Sequence, residues 1–175
     1  MRKFILILAI IFFSSCSKNA EENKILIKEK NLELQMIDAY EAGLDSLDKG
    51  DALYAAKKFN EAELLFPQSE WAPKSALMAA YSYYSQDYYA ESINSLEQFI
   101  KKYPKNKRIS YAHFLLAMCY YQSIIDEKKD LEPLLKARDK FIYVVENYPE
   151  TDFALDAKFK LDLIKEILAS KEMYL

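Results

Sequence analysis

The sequence predicts an all-α superhelix of about three and a half stacked helix pairs. Three observations carry that prediction. Glycine occurs twice and proline five times in 175 residues, which leaves few sites for tight turns and favours long helices joined by brief loops. No segment alternates apolar and polar residues with period two between turn signals, so no strand is expected. Pro67, Pro104 and Pro149 recur along the chain with related residues at matching offsets before them.

Arg2 and Lys3 precede an unbroken apolar run, Phe4 to Phe13. The run is shorter than the roughly 20 residues of a membrane-spanning helix but suits the core of a signal peptide. It leads into Phe13-Ser14-Ser15-Cys16. Small residues before a cysteine at this place resemble the lipobox of bacterial lipoproteins, with Phe13 where leucine is usual. That resemblance implies a signal peptide over 1–15 and lipidation of Cys16, palmitate included, as the new N-terminus. Because Ser17 rather than an aspartate follows, it also implies delivery to the outer membrane. The polar stretch 17–31, interrupted by Ile25-Leu26-Ile27, reads as a tether. We place a lipid-anchored flexible tether over 16–33 and the repeat domain over 34–175.

Seven helices are expected, over 34–49, 52–66, 72–86, 88–103, 108–125, 131–148 and 152–174. Ala55 and Phe59 precede Pro67 at the same offsets as Ala137 and Phe141 precede Pro149; Ser92 and Leu96 stand there before Pro104, a weaker match. The small residue lets two helices approach, and the aromatic residue four positions on fills the same face. The proline stops the helix. This is the second half of the tetratricopeptide pattern. Its first half is met by Ala79-Ala80 with Tyr83 and by Leu116-Ala117 with Tyr120, and in part by Ala42-Gly43, where Ser46 holds the tyrosine position. The interval from Pro104 to Pro149 is longer than that from Pro67 to Pro104, and the extra residues are placed in a loop around 125–132.

In such a pair, one stripe of the first helix packs on its partner and the adjacent stripe lines the concave surface. The second stripe falls on Tyr40, Leu44 and Leu47, then on Leu77, Tyr81 and Tyr84, then on Tyr111, Phe114, Met118 and Tyr121. These residues are candidates for a groove that receives a hydrophobic peptide, since tyrosine offers contact area at low entropic cost and a hydroxyl for backbone groups. A tight superhelix in which the same rings pack on each other satisfies the pattern equally.

The formal net charge of −3 argues against nucleic acid as a partner. The single histidine, His113, has no cysteine or histidine at ligand spacing, so neither a metal nor another cofactor is expected. Two glycines cannot build a phosphate cradle, and no nucleophile motif occurs. Carboxylates such as Glu97, Asp162 and Glu166 lie near Lys101 or Lys165, as on solvated helix faces. Cys119 reads as a small buried hydrophobe. The chain is not expected to be an enzyme.

A lipobox, the repeats, and the segments Tyr81–Tyr89, Gln98–Pro104 and Tyr148–Asp162 together resemble the BamD family of the outer-membrane β-barrel assembly (BAM) complex, from about Leu34 onward. The resemblance implies a scaffold on the periplasmic face of the outer membrane. Its partners would be a BamA-like barrel protein, other assembly lipoproteins and unfolded outer-membrane proteins, whose folding and membrane insertion it would assist. Substrate contacts would lie in the N-terminal repeats and BamA docking in the C-terminal ones. Members of that family carry about five repeats, whereas this sequence stops within its seventh helix. That helix has an apolar stripe through Phe153, Ala157, Leu161, Ile164 and Leu168, and a second through Phe159, Leu163, Ile167 and Tyr174. Apolar residues on two sides anticipate neighbours on two sides, so the second stripe is a candidate docking face for a partner, unless the form is truncated or split. The competing reading is a general periplasmic tetratricopeptide lipoprotein that organises peptidoglycan or transport factors.

Overall fold

The computed structural model describes residues 18–124 and 131–172, which form seven α-helices and, among the described residues, no strand. They are α1 (Lys18–Asp48), α2 (Ala52–Leu65), α3 (Trp71–Tyr84), α4 (Tyr89–Lys102), α5 (Ile109–Gln122), α6 (Glu132–Asn147) and α7 (Asp152–Glu172). Cys16, Tyr174 and most of the expected insertion loop lie outside the described residues. The one large departure from the expected helices is the start of α1. It begins at Lys18, so most of the stretch expected to be a flexible tether is helical. Residues 19–30 include three Glu and three Lys, good helix formers, and contain neither Gly nor Pro to interrupt a helix.

The prolines set the repeat. The α2, α4 and α6 helices stop at Phe66, Tyr103 and Tyr148, each immediately before a proline. These three residues share φ between −140° and −125° and ψ between 48° and 69°, outside the helical region that a following proline disfavours for its neighbour. The other connections use different chemistry. Gly50, at φ 77°, turns the chain between α1 and α2, and Asp51 then caps α2 by accepting the Tyr54 N–H at 3.0 Å. Asp87 takes a positive φ of 62° between α3 and α4. Thr151 caps α7, accepting the Ala154 N–H at 3.3 Å.

Consecutive helices pack on each other, and α3 and α5, then α5 and α7, touch as well. The inner helices α3, α5 and α7 therefore form one layer of a stack of helix pairs, a superhelix. The core repeats with the pairs. Phe59, Leu96 and Phe141, each eight residues before its proline, are fully buried among small residues of the flanking helices. The weak match in the second repeat is explained by a hydrogen bond. Ser92 is buried, donates to the Ala80 carbonyl at 2.9 Å and accepts from the Cys119 thiol at 3.2 Å. A hydroxyl there does the small-residue job and links three helices.

Gly43 is required for a different reason than turning. A Cβ built on it would meet the Phe59 ring at 2.8 to 3.0 Å. Gly43→Ala gains about 1 kcal/mol of helix propensity but incurs ~1–3 kcal/mol of overpacking. The expected result is a lower denaturation midpoint, measured by urea titration of the helical signal. A raised midpoint would show that the Phe59 ring yields freely.

Candidate peptide-binding groove

The inner layer does not close completely. Between α3 and α5 lies a cavity of about 390 Å³, walled by Leu77, Met78, Tyr81, Tyr111 and Phe153, with Ser110, Lys74, Lys107 and Arg108 around it. Each wall has a local cause. Lys74, Leu77 and Tyr81 share one face of α3 by their spacing of three and four. Tyr111 projects from the first turn of α5, just after the Tyr103-Pro104 turn. Phe153 opens α7 just after the Tyr148-Pro149 turn and stands 5.3 Å from the Tyr111 ring, centroid to centroid. The site is thus built from three inner helices, and the proline turns bring two of their first turns to the same end of the stack.

Tyr81 is 37% exposed, and Tyr111 is half-buried. Burial, with smaller contributions from nearby Tyr81 and Tyr84, pushes the Tyr111 hydroxyl up to about 12. It is therefore neutral at physiological pH, and the cavity wall carries no negative charge from it. The wall offers aromatic area and hydroxyls, and the mouth offers cations. No nucleophile–base pair stands among the residues that line it. Among the described residues there is no group of acidic, histidine or cysteine side chains that could hold a metal ion. His113 packs between Tyr143 at 4.6 Å and Tyr148 at 5.7 Å, and burial, with Lys140 nearby, lowers its pKa. Among the described residues, no helix is long and apolar enough to cross a membrane.

The groove candidates divide into three groups. Leu77, Tyr81 and Tyr111 come together around the cavity. Tyr40 does not reach it. Its ring is buried against Phe59 at 5.2 Å and Trp71 at 5.1 Å, because α3 opens with a tryptophan that covers this part of α1. Leu44 is exposed away from the cavity, and Tyr84 packs on Tyr89 at 6.0 Å, with burial raising its pKa. Phe114, Met118 and Tyr121 are half-buried around Phe141 in the third core cluster. There Phe114 meets Phe141 at 5.9 Å and Phe153 at 5.6 Å. The cavity therefore includes residues that the helical stripe alone does not mark. Phe153 and the three cations come from turn-proximal positions, and only Lys74, one turn before Leu77, carried a spacing signal.

On α7 the two stripes behave differently. Ile164 of the first stripe is buried, whereas the second divides: its docking candidate Ile167 packs against the third cluster and is not free, while Phe159 is 64% exposed beside Leu155, outside both stripes, at 69%. Leu163 is half-buried between them. The equivalents of Phe159 in the earlier repeats, counted from each proline, are Leu77 and Phe114, and both pack against the helix pair that follows.

Comparison with known proteins agrees with this architecture. The profile of a family described as "YfiO: Outer membrane lipoprotein" matches residues 32–175. The chain is 36% identical over 160 residues to an outer membrane protein assembly factor BamD of Caulobacter vibrioides, covering 91% of this chain and 51% of that protein. It is 32% identical over 163 residues to the Rickettsia prowazekii protein of the same name, covering 93% and 62%. Similarity extends to the Neisseria gonorrhoeae protein at 23% over 184 residues. The chain thus spans about half to three-fifths of the length of the first two relatives.

Proposed function

The chain belongs to the YfiO family of outer-membrane lipoproteins, and from that footing we propose that it is a non-catalytic scaffold in outer-membrane protein assembly that holds apolar segments of unfolded outer-membrane proteins in its inner groove. The observation that carries the reading is the open cavity itself. Three of the sequence's groove candidates converge there with Phe153, and the Tyr81 ring remains 37% exposed at its wall. An aromatic, concave and uncharged wall suits side chains that alternate along an extended chain.

Two further assignments accompany this one. Cys16 carries the lipid, and α1 continues from near that anchor into the first repeat. At the other end, the exposed Leu155 and Phe159 face of α7 is where a BamA-like partner or a continuation of the stack docks. The test is affinity purification of the tagged lipoprotein from detergent-solubilised membranes. Co-purification of a β-barrel protein with several periplasmic domains is the expected result. Recovery of peptidoglycan or transport factors alone would contradict it.

A further inference from the structure

We propose that the cations at the mouth of the groove select acidic peptide segments, seating a large apolar side chain in the aromatic cavity and its flanking carboxylates over Lys74, Lys107 and Arg108. This rests on the peptide-groove reading above and narrows the occupant.

A second cavity, of about 460 Å³, adjoins the aromatic one and shares those three cations with it. It adds Lys105 and a single carboxylate, Glu70. The two cavities form a track that is apolar on one side of the shared cations and polar on the other. Four cations thus face one acid in a chain whose acidic residues outnumber its basic ones, 27 to 24. Among the described residues none of the four is ion-paired, whereas Lys49, Lys58, Lys102 and Arg138 each hold a carboxylate. Lys74 is also held in place: its ammonium lies 4.3 Å from the Trp71 ring centroid and 4.6 Å from that of Tyr40. The first turns of α3 and α5 start at this junction, and their cap residues, Glu70 and Arg108, make no side-chain cap, so the positive ends of the two helix dipoles add to the potential there.

An aromatic wall alone accepts any apolar segment. Unpaired cations beside it attract and orient carboxylates and repel basic flanks, which is how charge at a rim confers selectivity. A polypeptide is the occupant favoured by the geometry, because the apolar cavity is sized for side chains and leads directly into the charged one.

The test uses the full-length purified chain and two fluorescent peptides with the same alternating aromatic core, one flanked by Asp and Glu and the other by Lys. Anisotropy should show the acidic peptide binding on the order of tenfold more tightly. The preference should shrink as salt is raised. Lys107→Glu with Arg108→Glu should reverse it while the helical circular-dichroism signal is unchanged. Equal affinities for the two peptides, or a preference untouched by the charge reversal, would overturn the proposal while leaving the groove reading intact. Failure of the wild-type chain to bind either peptide would remove the groove reading and the proposal together. An oligonucleotide that displaces the acidic peptide from the wild-type chain at far lower concentration than excess unlabelled acidic peptide does would assign the cations to phosphate and overturn it.

Discussion

Phe141→Ala is expected to lower the stability of the fold by about 3–5 kcal/mol, the range for removing a fully buried aromatic side chain. Phe141 has no exposed surface and sits where α5, α6 and α7 meet, in ring contact with Phe114 and Tyr121. The cavity left behind cannot collapse easily, because Ala137 and Ala157 beside it are already small. A loss of this size is a large fraction of the ~5–15 kcal/mol that holds a typical domain together. Because each repeat contacts chiefly its neighbours, the third pair and α7 should unfold first. Urea titration should then show an early second transition or a reduced slope. Phe159→Ala, at an exposed ring of α7, is the control and should leave the midpoint nearly unchanged.

The second large effect is on binding. Tyr81→Ala combined with Tyr111→Ala should weaken binding of an apolar peptide by more than about tenfold, as removal of two aromatic anchors from a small cavity does at other interfaces. Tyr81 contributes an exposed ring whose removal costs the fold little. Tyr111 also packs on Phe153, so its replacement carries some cost in stability. Tyr111→Phe separates the two roles, since it keeps the ring and removes only the hydroxyl.

The helices were legible in the sequence because their stops are chemical. Three prolines force the residue before them out of helical geometry, and the recurrence of Ala55, Ser92 and Ala137 before them shows which faces approach. The start of α1 was not legible, because a charge-rich stretch without Gly or Pro satisfies both a tether and a solvated helix. Only half of the groove could be read. Helical spacing identifies which face of a helix is apolar, but not how tightly the stack curves or what covers that face. Tyr40 is covered by Trp71, and Phe114 by Phe153, both from the first residues of the next inner helix, so the turns between repeats decide which rings stay open. The cations went unread for the same reason: Lys107 and Arg108 sit in a connection, and their nearness to Tyr81 is a fact of the stack.

The claim on which the account turns is that the Tyr81–Tyr111 cavity is a binding site and not an imperfectly packed core. Titrating a fluorescent peptide of alternating aromatic residues into the wild-type chain, the double alanine variant and Tyr111→Phe tests it most directly. Saturable binding to wild type and to Tyr111→Phe, with the double variant weakened by more than about tenfold at unchanged helix content, is the predicted result. Equal affinity for all three proteins, or a double variant whose only change is a lower denaturation midpoint, would contradict it.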